Sequence, residues 1–343
     1  MTNTDPALPP AVMRLRELAL SAAYAAALRA AVRLGLADVL GDQSATVDEL
    51  AKAVGADPDA LLRLLRSLTC LGVFAEEPGK HYVHTDISRL LREDAPRSLK
   101  HVLLWGTEPW TWELWLHLDD AVRTGKSIFY DIHGMDFFEY LHEHWPESAE
   151  VFDKAMSQSS RLSALAIANA LDLDGARSVA DIAGGQGHVL ATLLEHNEQL
   201  TGVLLDLPAV IANADARLCN GGPLAERAQL IVGDCRREIP VQADVYIFKN
   251  ILEWSDENTI LALRNAMAAG REGAKVIIIE NLVDHTPEVR FATAMDLLLL
   301  LNVGGKKHTR DGLLTLVDTA GLRVDKVSAV NSYLHMVETT IPV

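Results

Sequence analysis

The chain has 343 residues, of which 49% are hydrophobic and 23% charged, and this balance is that of an ordinary soluble globular protein. Its formal net charge of −16, with no local run of Lys and Arg, argues against a protein that holds nucleic-acid phosphates or an anionic membrane surface. Three cysteines are too few and too scattered for a disulfide framework or a cysteine-rich zinc site.

The first residues lack the basic and apolar segments of a secretory signal, and no apolar run is long enough to span a bilayer. We therefore expect a cytoplasmic protein with neither a membrane nor a nucleic acid as partner. We also expect no metal site.

Residues 11–40 are rich in Ala and Leu, and the pattern predicts one long helix. Residues 22–28 of this segment have almost no polar face. A helix of that kind is normally buried on most sides, which here indicates burial against a second subunit.

The next segment carries the signals of a winged helix. Thr46 and Glu49 stand in capping-box spacing at one helix start, and Asp57 followed by Pro58 begins another helix. A short β-hairpin is predicted within residues 73–83. Winged helices often bind DNA, but the missing basic footprint favours dimerisation or lid building.

A second helical stretch runs from about His101 to Leu171 and holds most of the tryptophans. We expect most of them in the core and a minority in the wall of a pocket for a flat substrate. These residues are Trp105, Trp110, Trp112, Trp115 and Trp145.

Beyond residue 174 predicted strands alternate with helices. The strand at residues 179–182 runs into a glycine-rich turn at residues 184–187, which is followed by a helix beginning at His188. Glycine lets backbone amides approach a ligand closely, and the helix start offers unpaired N–H groups to an anionic or polar group. Alone, this turn is a weak signal.

The three strands that follow also end in polar residues. Asp206 ends the second strand about 20 residues after the glycines, where an acidic residue can hold a ribose diol. Asp234 follows the third strand and Lys249 the fourth. Because an open parallel sheet binds ligands at the carboxyl ends of its strands, we expect an α/β fold with a binding site at this edge. Residues 322–327 and 333–338 are predicted to pair as the last two strands.

Several segments together are more specific than the glycine turn. They read ALRAAVRLGLADVL, TVDELAKAVGADPDALLRLLRSL, HGMDFFEYLHEHWPESAEVFDKAMSQSS, DIAGGQGHV, VLLDLPAVI, GDC, and GGKKHT followed by AGL. In these segments the chain resembles the small-molecule O-methyltransferase family of the caffeate and hydroxyneurosporene type. That family includes bacterial enzymes that methylate polyketides and other natural-product phenols.

The resemblance implies a homodimer with three regions per chain. These are an N-terminal, all-helical winged-helix dimerisation domain (1–98), a helical linker and substrate-pocket wall (99–172), and a Rossmann-like, S-adenosyl-L-methionine-binding catalytic domain (173–343). It further implies methyl transfer to a small aromatic, phenolic metabolite in natural-product biosynthesis.

Positions in the cofactor site carry over residue by residue. The resemblance places Asp206 on the ribose hydroxyls and Asp234 on the adenine amino group, with Cys235 beside the ring. It places Ser160 on the cofactor's carboxylate and Met156 beside the transferred methyl. The complete predicted set is Met156, Ser160, Asp181, Gly184, Gly185, Gly187, Asp206, Leu207, Asp234, Cys235 and Lys249.

The chain departs from the family where the catalytic base is expected. Members that methylate phenols usually read K-x-x-x-H-D-W after the fourth strand, and that His is the general base. Here the sequence is KNILEWSD, which is one residue shorter and contains no histidine. Glu253 or Leu252 therefore occupies the position of the base, depending on where the gap falls. A family carboxylate that orients the base is replaced by Lys307, and only Glu280 remains of the acidic support. The candidate catalytic residues are therefore Glu253, His308 and Glu280.

Three interpretations of this departure stay open. A phenol has an ordinary pKa near 10 and needs help to ionise. In the first interpretation, the enzyme still transfers a methyl group, either with a substitute base such as Glu253 or His308, or with no dedicated base because its substrate is acidic. In the second, the nucleophile is an aromatic carbon. In the third, the bound cofactor serves non-methyl chemistry such as hydroxylation, decarboxylation or a pericyclic step. Methyl transfer, to oxygen or carbon, is our main hypothesis.

Overall fold

The computed structural model describes residues 9–284 and 289–342, which form two compact units. The first unit comprises the chain up to residue 109 together with Glu150–Gln158, and the second comprises residues 110–149 and the chain from residue 159 onward. One long helix, α12 (Pro146–Ala170), contributes to both units.

The first unit combines helices with a small antiparallel sheet of strand order β1-β3-β2. Its helices are α1 (Pro10–Ala19), α2 (Ser21–Arg33), α3 (Leu36–Leu40), α4 (Val47–Val54), α5 (Pro58–Cys70), α6 (Asp86–Arg89) and α7 (Lys100–Gly106), and its strands are β1 (Ala45–Thr46), β2 (Phe74–Glu77) and β3 (His81–His84).

The prediction of one long helix over residues 11–40 is wrong, because the segment forms three helices. The chain leaves the helical conformation at Leu20, and Gly35 takes φ +67 before α3. Glycine adopts this left-handed conformation without the steric penalty of a side chain. No residue of α1 is buried within the chain, and in the Ala-rich segment only Ala27 is.

The winged helix is confirmed. The amide of Glu49 donates to Thr46 Oγ1 (3.3 Å) and the amide of Thr46 to Glu49 Oε2 (2.8 Å), which completes the predicted capping box. Asp57 caps α5 through the amide of Ala60 (2.8 Å), and the hairpin forms as β2 and β3. The prediction of an all-helical domain is wrong, because β1, β2 and β3 form a three-stranded sheet.

The helical stretch that follows is broken into short pieces. They are α8 (Pro109–Trp115), α9 (Leu118–Thr124), α10 (Phe129–His133), α11 (Phe137–Glu139), a π-helical turn (Tyr140–His144) and then α12. Trp105 and Trp110 are buried as expected, whereas Trp112 and Trp115 are half-buried and Trp145 is 39% exposed. The expectation that most of these tryptophans belong to the core is therefore wrong, because only two of the five are buried.

The second unit contains a mixed sheet of strand order β6-β5-β4-β7-β8-β10-β9 within the described residues. The first five strands in this order are parallel, and β10 pairs antiparallel with both β8 and β9. The strands are β4 (Ser178–Ile182), β5 (Thr201–Asp206), β6 (Ala228–Val232), β7 (Val245–Lys249), β8 (Lys275–Glu280), β9 (Arg323–Ala329) and β10 (His335–Thr340). The helices are α13 (His188–His196), α14 (Pro208–Ile211), a 3₁₀ turn (Ala225–Arg227), α15 (Asp256–Ala269), α16 (Val289–Val303) and α17 (Arg310–Ala320).

Both faces of this sheet are covered. Ile247 belongs to one apolar cluster and Tyr246 and Phe248 to the other, since successive side chains of a strand point to opposite faces. Because helices cover both faces of a parallel sheet, its polar side chains can reach solvent or a ligand only at the ends of the strands. The Rossmann-like α/β fold and the four predicted strands are confirmed. Along the described chain, no helix combines the length and apolarity needed to cross a lipid bilayer.

Candidate active site

The glycine turn between β4 and α13 folds over the carboxylate of Asp181. A Cβ at Gly184 would overlap that carboxylate, while Gly185 and Gly187 take φ +64 and +81. Only glycine therefore fits the space at residue 184. At residues 185 and 187, only glycine adopts the observed backbone conformation without strain.

Asp206, the last residue of β5, binds the same turn. Its Oδ2 accepts from the amide of Gly185 (2.8 Å) and its Oδ1 from the amide of Leu207 (2.7 Å). Burial raises the pKa of this carboxyl group, and the two amides counteract the shift. Because a carboxylate has about four acceptor positions, Asp206 retains capacity for a ligand diol. Leu207, beside it, is 44% exposed.

Asp181 is an orphan acceptor beneath the turn. Its side chain is buried, and Oδ2 has no hydrogen-bond partner among the described residues. Burial raises its pKa to about 7, although the positive charge of Lys249 opposes the shift. A buried carboxylate oxygen without a donor fits a ligand that brings an ammonium group or another N–H donor.

Lys249 ends β7 and reaches toward α12. Its Nζ lies 3.4 Å from Ser160 Oγ, so these two predicted cofactor residues are brought together. Burial lowers the pKa of Lys249, and Asp181 opposes the shift. Met156 lies on α12 four residues before Ser160, about one helical turn away, in the part of the helix that belongs to the first unit.

Asp234, which follows β6, has a partner that the sequence did not predict. Arg236 donates from Nε to Oδ1 (3.0 Å) and from Nη2 to Oδ2 (2.9 Å), and this pairing lowers the pKa of Asp234. The guanidinium also lies over the Trp254 ring, 5.4 Å from its centroid. Cys235 is buried in the apolar cluster on one face of the sheet, and burial raises the pKa of its thiol to about 12.

Three ionisable side chains meet beyond the ends of β7 and β8, and we call them the Glu–Lys–Glu cluster: Glu253, Lys307 and Glu280. The ammonium of Lys307 pairs with Glu253 Oε1 and lies 4.0 Å from Glu280 Oε2. Their side chains are 16%, 5% and 2% exposed in that order. Glu253 is therefore the member that a ligand could touch.

Protonation within the cluster is set by burial and by the neighbouring charges. Burial, followed by the charge of Glu253, raises the pKa of Glu280 to about 8, so Glu280 keeps a proton at neutral pH. Burial lowers the pKa of Lys307, but the two carboxyl groups outweigh it and the net shift is upward. Lys307 is thus a cation whose nearest anion is Glu253.

His308 lies beside the cluster and holds the backbone of Leu252. Its Nε2 lies 2.6 Å from the Leu252 carbonyl oxygen, and because a carbonyl only accepts, Nε2 carries the proton. Glu280 Oε1 accepts from the amide of the same residue (3.2 Å). Burial lowers the pKa of His308, and the Leu252 side chain is fully buried. Of the two alternatives for the base position, only Glu253 offers an accessible side chain.

The GGK segment packs directly on Glu253. The amide of Lys306 donates to the Glu253 carbonyl oxygen (3.1 Å), and a Cβ at Gly305 would overlap that oxygen. The amide of Lys307 donates to Asp296 Oδ1 on α16 (2.7 Å). Sequence reasoning missed the roles of Asp296 and Arg236, and the only local signal was the double glycine before Lys306.

Two family models match the chain. A model described as an O-methyltransferase domain matches residues 115–323, which is more than half of the chain, and one described as an O-methyltransferase dimerisation domain matches residues 16–94.

Individual relatives extend along nearly all of the chain. The "Mitomycin biosynthesis 6-O-methyltransferase" of Streptomyces lavendulae is 34% identical over 305 residues, covering 88% of this chain and 86% of the relative. The solved structure of CalO1, a methyltransferase in calicheamicin biosynthesis with SAH bound, has a TM-score of 0.87 at 32% identity and covers 97% and 98% of the two chains. NcsB1 from neocarzinostatin biosynthesis, solved with S-adenosylmethionine and 2-hydroxy-5-methyl naphthoic acid, has a TM-score of 0.76 at 31% identity and covers 92% and 95%.

Proposed function

The chain belongs to the S-adenosylmethionine-dependent O-methyltransferase family, and on this basis we propose that it methylates a hydroxyl group of a small aromatic metabolite in natural-product biosynthesis. Its cofactor is S-adenosyl-L-methionine, since related structures have been solved with S-adenosylmethionine or SAH bound. The relatives named above act in the biosynthesis of mitomycin, calicheamicin and neocarzinostatin, which supports an aromatic natural product as acceptor.

The glycine turn fits this cofactor. We assign the ribose hydroxyls to Asp206 and the ammonium group to the orphan oxygen of Asp181, with Gly184, Gly185 and Gly187 giving backbone access. Ser160 and Lys249 would meet the methionine carboxylate, and Asp234 the adenine amino group. When bound, S-adenosylmethionine supplies a methyl group that its sulfonium already makes electrophilic.

On the acceptor side we assign Glu253 as the proton acceptor. The observation that carries this assignment is its exposure: the side chain of Glu253 is partly exposed, at 16%, whereas those of Lys307 and Glu280 are buried. His308 and Glu280 act as positioning residues, because they hold the carbonyl and the amide of Leu252 and thereby fix the residue next to Glu253.

Incubation with S-adenosylmethionine labelled on its methyl group tests the proposed reaction. The acceptor panel contains hydroxylated naphthoic acids and phenazines, and products are examined by mass spectrometry and NMR. A gain of one labelled methyl on oxygen is expected. Label on an aromatic carbon would instead establish C-methylation, and consumption of an acceptor without label would establish non-methyl chemistry.

We also propose that the protein is a homodimer. The N-terminal unit matches a dimerisation domain, and α1 has no buried residue within the chain. Its apolar side chains are exposed, from 42% for Val12 to 69% for Leu15. A second copy of this chain would cover them, as the resemblance to dimeric enzymes implies.

A further inference from the structure

The Glu–Lys–Glu cluster places one accessible carboxylate against one enclosed cation. Lys307 lies behind Glu253, in contact with it, and within 4.0 Å of Glu280. Burial raises the pKa of Glu280 and favours its protonated form, so Glu253 is the carboxylate that balances the charge of Lys307.

A carboxylate is a poor base for an ordinary phenol. The ordinary pKa of a glutamic acid side chain is about 4.3 and that of a phenol about 10, so proton transfer between them is uphill by roughly a millionfold. Proton transfer is efficient when the two groups have similar acidity. A glutamate at the base position therefore matches a hydroxyl that is several orders of magnitude more acidic than phenol.

We propose that this site takes acceptors whose hydroxyl is strongly acidic, such as a hydroxyquinone or a phenol conjugated to a carbonyl group, and that Glu253 and Lys307 select them together. The inference rests on the proposed function, since it names the substrate class of the same site. Simple phenols, which need a stronger base, are poor substrates of this enzyme.

Lys307 keeps the charge balanced when the proton moves. The O–H bond of the acceptor breaks and a new O–H bond forms on Glu253, so the negative charge passes from Glu253 to the acceptor oxygen. Lys307, which faced the glutamate before the transfer, then faces the new oxyanion. The number of buried charges is unchanged, which avoids the desolvation cost of creating a charge in a closed site.

Other charged groups around the pair do not supply this function. Lys249 faces the cluster from β7, and Asp296 on α16 accepts from the backbone amide of Lys307. Lys306 is paired with Asp256 at 2.6 Å. His308 donates its Nε2 proton to the Leu252 carbonyl, and burial lowers its pKa, which disfavours the charged ring.

The test is proton uptake on binding, measured by titration calorimetry in two buffers of different ionisation enthalpy. The protein is first saturated with S-adenosylhomocysteine, so that no methyl transfer occurs. The probes are 2-hydroxy-1,4-naphthoquinone, which is ionised at pH 7, and 2-naphthol, a neutral phenol on the same two-ring frame. The quinone anion should take up about one proton when it binds, and this proton is shared by Glu253 and the acceptor oxygen. 2-Naphthol should bind without proton uptake.

Variants locate the proton. Glu253→Gln should abolish the uptake, while the charge of Lys307 still favours binding of the quinone anion. Glu280→Gln should retain it, and so should Glu272→Gln, a matched change at an exposed carboxylate. The comparison of the two probes on the unmodified protein needs no variant, so a misfolded Glu253→Gln protein would leave the test intact.

Two results would overturn the inference: quinone binding without proton uptake, or binding of 2-naphthol at least as tight as that of the quinone. The labelling experiment with S-adenosylmethionine tests the proposed function separately. If the probes bind as expected but no acceptor gains a labelled methyl with S-adenosylmethionine, methyl transfer is wrong and the acidic-acceptor site stands.

Discussion

The ammonium group of Lys307 contacts the carboxylate of Glu253, which lies 54 positions earlier in the chain. The pair joins the loop after β7 to the segment after α16. It therefore ties these two segments to each other.

Lys307→Met should lower the free energy of unfolding by about 3–5 kcal/mol, because it leaves the Glu253 carboxylate partly buried without its cation. Urea denaturation followed by circular dichroism measures the change. The double variant Glu253→Gln, Lys307→Met removes both charges and should recover most of the loss. Simple additivity of the two single changes would show that the side chains do not interact.

Gly305→Ala should destabilise the protein by about 3 kcal/mol, since the added methyl group overlaps the backbone oxygen of Glu253 and forces the two segments apart. Gly106→Ala is the matched control, because a Cβ at this helical residue meets nothing within 4 Å. Thermal unfolding of the two variants gives the comparison. Equal melting temperatures would contradict the close packing at Gly305.

Glu280 should make the protein less stable as the pH rises. Its pKa is raised from 4.5 to about 8 in the folded state, so the native protein binds an extra proton between these values. The resulting stability is complete below pH 4.5 and is lost as the pH rises toward 8, by at most ~1.4 kcal/mol per pH unit.

Glu280→Gln should flatten this dependence, because glutamine cannot ionise but can still accept from the Leu252 amide. Urea unfolding at pH 5, 6, 7 and 8 should show the variant gaining on the unmodified protein as the pH rises. Glu272→Gln, at an exposed site, should keep the original slope. Parallel curves for Glu280→Gln and the unmodified protein would refute the assignment.

Asp206→Asn should weaken binding of S-adenosylhomocysteine by about 10- to 100-fold. Both Asp206 oxygens accept backbone amides, from Gly185 and Leu207, and an amide NH₂ in place of one oxygen would leave one of these donors unpaired and distort the turn. Calorimetry measures the affinity, with Asp174→Asn as the control at an exposed position. Unchanged affinity would remove Asp206 from the cofactor site.

Leu15→Lys should convert the proposed dimer into a monomer, because it places a charge in the exposed apolar face of α1. Light scattering coupled to size-exclusion chromatography reports the mass. Glu17→Lys adds a lysine to the same helix outside this face and should leave the dimer intact. A dimeric Leu15→Lys protein would place the interface elsewhere.

Local patterns predicted those features whose cause is local. The apolar runs before Asp206 and Lys249 formed parallel strands, and the capping signals at Thr46 and Asp57 began helices as expected. The break before α3 was not predicted, because the Ala- and Leu-rich sequence around Gly35 favours a continuous helix. In the structure, Gly35 adopts a left-handed conformation that ends the preceding helix.

Pairings between distant residues could not be predicted in the same way. Nothing near Lys307 indicates that it meets Glu253, because the contact exists only once β7 and α16 are packed in the same unit. Arg236 is close in sequence to Asp234, with which it pairs, but its stacking partner Trp254 lies in another segment of the chain. The roles proposed for the cofactor residues remain predictions, since they need a bound ligand to test them.

The absence of a side chain at Gly305 has a practical consequence for engineering. With the Glu253 carbonyl seated against it, the loop after β7 and the segment around residue 305 behave as one interlocked part. A chimaera that takes only one of the two segments from a relative would place a different backbone at the contact between Glu253 and Gly305. Altered acceptor preference is therefore best sought in chimaeras that exchange residues 249–256 and 303–309 in a single step.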